Sequence, residues 1–301
     1  MAKWLFSKER IIAFFRPCVV LIIFIVASAY IPKLVPTLFH VKLIAILLQP
    51  CVMTVDIFAI RKLWDKRSIN SLGLKRDKFW LSDILLGLCF IFLATIVVFL
   101  ANWAFGWIEP ENFFFILKTS PILALSEIEW SVLLRNILAG CWEELFFRGY
   151  VFKNKAWSTN ILISAFLTSV LFGTFHFFFI SPPSPMVVLI PADRFSAAFF
   201  ALLSGLILIF AYFRTRNLWL SIGLHVGWDL IVGPIMGLGI HQKSLPEFMT
   251  NLFAAPNNST GVNDIIILGL VAIFVYITTM PRNRHSFHWK AIISWKSIST
   301  Q

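Results

Sequence analysis

Two adjacent carboxylates and an arginine lie in the middle of an apolar run, where residues 141–150 read Cys-Trp-Glu-Glu-Leu-Phe-Phe-Arg-Gly-Tyr. Ionisable groups at membrane depth are costly, so they pair, face the protein interior or do chemistry. On a helix, Glu144 and Arg148 are i,i+4 neighbours on one face, and Glu143 points about 100° away from Glu144. One carboxylate can be held by the arginine while the other faces a cavity. An ion pair that only fixes helix packing accounts for Glu144 and Arg148. It leaves Glu143 without a partner in hydrocarbon, which is expensive.

Two more polar clusters interrupt later apolar runs, Phe172-Gly-Thr-Phe-His176 and His225-Val-Gly-Trp-Asp229. Each has a bland reading. A single histidine on an apolar helix commonly packs, and Gly173 beside Thr174 permits close helix contact. His225 and Asp229 could form an internal hydrogen bond, or the relay pair of a proton-coupled transporter. Gly223, Gly227 and Gly233 thin the same segment. Together the clusters say more, because charges in lipid converge most economically on one shared cavity. Glu143, His176, His225 and Asp229 are the residue types that activate water and stabilise an oxyanion, with Glu144 and Arg148 in support. Glu143, His176 and His225 are also a zinc set. Their spacing is not that of a His-Glu-x-x-His helix, so three helices would have to assemble a divalent-metal site.

The elements that position these groups are membrane helices. Of 301 residues, 58% are hydrophobic and only 14% charged, with 32 Phe and 12 Trp; the mean hydropathy is +0.82. A soluble domain carries about 25% charged residues. Apolar runs of about 20 residues can cross a bilayer. They predict spans near 17–37, 41–60, 79–106, 130–150, 158–180, 195–213, 217–240 and 262–280, with Pro32, Pro36 and Pro50 kinking or ending their helices. The expected fold is all-α: a polytopic membrane protein of about eight helices around a polar cavity. The basic, then apolar, N-terminus reads as a retained first span.

The net charge of +11 does not point to nucleic acid, because the Lys and Arg lie between apolar runs. Segments on one side of the predicted topology hold 20 of them against 5 on the other. This bias places both termini in the cytoplasm, most simply at a plasma (inner) membrane. Cys18, Cys51, Cys89 and Cys141 have no metal-type spacing and read as inert thiols. The tail from Pro281 mixes basic residues with Trp289 and Trp295 and reads as a segment lying on an anionic leaflet. His40, His241, His285 and His288 fall in predicted loops or the tail. One integral membrane domain is expected, in three parts: N-terminal helices (1–120), a core carrying the three clusters (121–240), and a last helix with a basic tail (241–301).

Glu143-Glu144-x-x-x-Arg148, Phe172-x-x-x-His176 and His225-x-x-x-Asp229 together resemble the motif triplet of the CAAX protease and bacteriocin-processing (CPBP, or Abi) intramembrane proteases. The resemblance covers roughly residues 130–235. It implies an endopeptidase with a site inside the membrane, acting on a membrane-associated protein or peptide, of which prenylated CAAX proteins are one class. It implies that Glu143, the general base, polarises a water together with His176, that His225 and Asp229 stabilise the oxyanion, and that Glu144 and Arg148 hold the first motif. Asp229 stands where the family accepts Asn or Asp. An ionised carboxylate cannot donate to an oxyanion, so Asp229 would orient His225 or bind a metal. Both a metalloprotease and a metal-free glutamate mechanism stay open, as does a non-proteolytic immunity or assembly protein on the same scaffold.

Overall fold

A computed structural model describes residues 12, 15–23, 42–106, 108–109, 130–154, 160–179, 191–232, 241–242 and 260–279. The chain is all-α, as the apolar runs predict. Helix α1 covers residues 15–23; the rest of the 17–37 span lies outside the described residues. The helices that follow are α2 (Lys42–Ala59), α3 (Trp80–Ala104), α4 (Trp130–Glu144), α5 (Ile161–Phe179), α6 (Pro191–Thr215), α7 (Trp219–Gly227) and α8 (Thr260–Thr279). A two-residue antiparallel pair, β1 (Ile108–Glu109) and β2 (His241–Gln242), joins the segments after α3 and before α8. The tail from Pro281 lies outside the described residues.

Helices satisfy their own backbone groups, which is what lets them stand in hydrocarbon. Among the described residues, Trp80–Ala104, Ile161–Phe178 and Arg194–Thr215 are long and apolar enough to cross a membrane. The outer face of α3 exposes Leu81, Leu85, Phe92, Leu93, Val97 and Leu100. A contiguous apolar face of this kind is foreign to a monomer in water and suits lipid.

Two local outcomes differ from the simple helical reading. Pro50 does not end its helix, because α2 continues through it to Ala59. Three helices pass into π-type turns with wider i→i+5 bonding, at Ile60–Trp64, Leu145–Phe152 and Trp228–Val232. Such turns are over-represented at functional sites. Two of them begin directly after Glu144 and directly before Asp229. All eight residues of Leu145–Phe152 are buried, so this turn is packed on every side, and periodicity gives no sign of it.

Glycines set the helix spacing. A Cβ on Gly223 of α7 would meet the Ile84 carbonyl oxygen of α3 at 2.3 Å, and one on Gly87 would meet the Leu224 nitrogen at 2.5 Å. The two backbones therefore touch, which is van der Waals packing of the kind that drives helix association in lipid. A Cβ on Gly173 of α5 would meet the Ala198 oxygen of α6 at 2.5 Å, as the small residues around it predict; one on Gly140 of α4 would meet Val226 Cγ2 of α7 at 2.9 Å. The helices bearing the three polar clusters are thus locked against neighbours within a few residues of the clusters. Gly223→Ala is expected to cost about 1–3 kcal/mol by overpacking. A lower Tm in detergent would be the sign, and an unchanged Tm would show that α3 and α7 are free to separate.

Candidate active site

The three clusters meet. Glu144 and Arg148 are both fully buried, and Arg148 Nη1 donates to Glu144 Oε1 at 2.7 Å. The i,i+4 pair read from the sequence therefore forms. Glu144 is also shared: the same Oε1 lies 2.8 Å from Nδ1 of His225 on α7. A carboxylate paired to arginine accepts, so the ring donates through Nδ1 and turns Nε2 toward the interior. His225 Nε2 then lies 3.8 Å from Glu143 Oε2 and 3.9 Å from Asp229 Oδ2.

His176 is fixed in a parallel way. Its Nδ1 lies 3.0 Å from the Phe172 carbonyl one turn earlier. A carbonyl only accepts, so Nδ1 carries the proton. Nε2 points at Glu143 Oε2, 4.0 Å away. Two imidazole Nε2 atoms thus converge on one carboxylate oxygen, and that oxygen is buried with no hydrogen-bond partner of its own. Separations near 4 Å are too long for direct hydrogen bonds and fit an intervening small ligand.

Phe172 does more than lead into its motif. Its ring lies under the Arg148 guanidinium, 4.2 Å from Cζ to centroid. The same ring meets His176 edge-on at 4.5 Å and His225 at 5.8 Å. A desolvated cation over an aromatic face is stabilised by about 2 kcal/mol, which offsets the Arg148 Nε and Nη2 atoms that have no acceptor.

A cavity of about 290 Å³ opens beside these groups, with His176, His225, Asp229, Phe200, Trp228 and Asp264 on its walls. Glu143 is not among the residues on its walls. Two polar residues here escaped the sequence reading. Asn136 donates from Nδ2 to the Asp229 carbonyl at 3.3 Å, tying α4 to the π turn. Asp264 reaches the cavity from α8. Both were findable, since an amide or carboxylate inside an apolar run is the same signal that singled out Glu143.

The residues do not form a metal site as they stand. Among the described residues no three His, Cys, Asp or Glu side chains are arranged to hold a metal ion. Two ligands on one tetrahedral zinc, with bonds of about 2.1 Å, lie roughly 3.4 Å apart. The Glu143–His176 and Glu143–His225 separations are wider.

Residues 126–231 match the sequence model of the Rce1-like family, described as type II CAAX prenyl endopeptidase Rce1-like. The match agrees with the resemblance carried by the three motifs and supports a function of the intramembrane protease type. The matched segment contains every residue of the converging cluster; Asp264 lies beyond it. No curated protein and no solved structure matches the chain.

Proposed function

We propose that the protein hydrolyses a peptide bond of a membrane-associated protein or peptide, using Glu143 as general base without a metal. The observation that carries this reading is the convergence of two imidazole Nε2 atoms on the unpartnered Glu143 oxygen. A water held among the three lies within hydrogen-bond reach of each. Neutral His176, its proton committed to Phe172, accepts one hydrogen from that water. Glu143 takes the other proton as the water oxygen attacks the scissile carbonyl carbon. The oxyanion that forms is met by the Nε2–H of His225 as an imidazolium. Glu144 fixes the orientation of that ring, and Asp229 supplies a second carboxylate beside it. Glu143 then returns its proton to the leaving nitrogen as the C–N bond breaks. Arg148 neutralises Glu144, so the charge that anchors His225 does not repel Glu143.

The family description supports a CAAX-type substrate carrying a prenyl group, and the charge bias supports both termini in the cytoplasm of a plasma (inner) membrane. The test is a cleavage assay with reconstituted protein on matched prenylated and unprenylated CAAX peptides, with and without EDTA. The expected result is cleavage just after the modified cysteine, faster with the prenyl group and insensitive to EDTA. Loss of activity that zinc restores would contradict the metal-free step. Equal rates on both peptides would contradict prenyl recognition.

A further inference from the structure

A second cluster of buried charge lies away from the candidate site, where α1, the α2 end and the α4 end meet. Asp65 accepts from Arg16 on one oxygen and from Arg61 on the other. Arg61 is buried, and it also donates from Nε to Ser71 Oγ at 2.8 Å and from Nη1 to Asn154 Oδ1 at 3.5 Å. Lys153 Nζ donates to the Ser71 carbonyl. Arg67 is close enough to feel the charges of Arg16, Arg61 and Asp65. Arg16 and Arg61 therefore share the Asp65 carboxylate, with Lys153 and the exposed Arg67 close by. Burial, then the Arg61 and Arg67 charges, pushes Lys153 down to about 8, so it is still a cation at neutral pH.

The cluster also has donors without acceptors. Arg16 Nε, Asn154 Nδ2 and the Tyr150 hydroxyl are buried with no hydrogen-bond partner. The first two can only donate, so what they lack is an acceptor. A buried donor without an acceptor costs about 1–3 kcal/mol, more on a charged group. Excess positive charge and orphaned donors are answered by one chemistry, an oxyanion with several acceptor oxygens.

The surroundings identify its source. The adjoining surface is apolar and open: Leu63 is 74% exposed, Trp64 50%, and Phe15, Val19 and Val55 are exposed beside them. Arg16 lies over the Trp64 ring, 5.4 Å from its centroid. An exposed tryptophan next to arginines marks the headgroup level of a bilayer.

We propose that Arg16, Arg61, Arg67 and Lys153 form a binding site for the phosphate of an anionic phospholipid. The site holds the end of the helix that carries Glu143, Glu144 and Arg148, because Lys153 and Asn154 follow Arg148 by five and six residues. Lipid composition thereby becomes an input to the stability of that helix. This holds whether or not the protein is a protease.

The test uses full-length protein in nanodiscs of phosphatidylcholine alone or with phosphatidylglycerol, and reads Tm. Phosphatidylglycerol is expected to raise the Tm by several degrees. Arg16→Gln/Arg67→Gln is expected to lose that rise. Lys62→Gln/Lys66→Gln, an equal loss of charge at exposed positions of the same segment, is expected to keep it. Arg67→Gln alone makes the comparison if the first double variant does not fold. Equal wild-type Tm in both lipids would overturn the proposal, as would the same loss in both double variants. A rise reproduced by inorganic phosphate in phosphatidylcholine would overturn the lipid as the source.

Discussion

Glu143→Gln is expected to lower kcat by about 10²–10⁴-fold, the range for loss of a positioned general base, while the protein still folds. Gln keeps the size and shape of Glu but cannot take a proton. Glu143 makes no hydrogen bond or ion pair with Arg148, so its neutralisation leaves the Glu144–Arg148–His225 chain intact. It also removes a buried carboxylate whose oxygen lacks a partner, so the Tm should hold or rise. Purified wild type and variant, compared in one reconstituted cleavage assay with Tm measured beside it, check both halves. A variant with near-wild-type kcat would remove Glu143 from the chemistry. One that is inactive because it has lost its Tm would say nothing special about the base.

Arg148→Met is expected to have the opposite profile: loss of the fold itself. Removing one partner of a buried ion pair costs about 3–5 kcal/mol, because the other charge stays buried. Here Glu144 would be left with only His225, and the Phe172 ring would lose the cation above it. Thermal unfolding in detergent should show a large fall in Tm. Arg148→Met/Glu144→Gln should recover much of it, since no bare charge remains and Gln Oε1 can still accept from His225 Nδ1. A single variant as stable as the wild type would mean that the guanidinium does not hold this centre together.

The Glu144–Arg148 pair was legible because i,i+4 geometry is local and Arg148 is the one cation among the three charges of residues 141–150. The convergence of Glu143, His176 and His225 was legible as an economy argument about charge in lipid, and the helices meet accordingly. The second role of Glu144 was not legible. Its bond to His225 spans 81 residues and depends on where α4 and α7 cross at Gly140 and Val226, which no spacing encodes. The π turns escaped because a shift from i→i+4 to i→i+5 adds no residue and leaves no mark in a run that is apolar on every side of its few charges. Arg61 was legible only as one of many basic residues that orient the chain. Its burial against Asp65, Ser71 and Asn154 appears once α2 and the end of α4 are placed side by side. Asn136 and Asp264 are a different matter: the rule that found Glu143 applies to them equally.

Peptide-bond cleavage at the membrane with Glu143 as general base is tested most directly by terminus-selective proteomics on membranes expressing wild type or Glu143→Gln at matched levels. New protein termini are expected in the wild-type sample alone, drawn from membrane-associated proteins and sharing a local sequence. The same set of termini in both samples, with both proteins folded and a cognate substrate present, would contradict it.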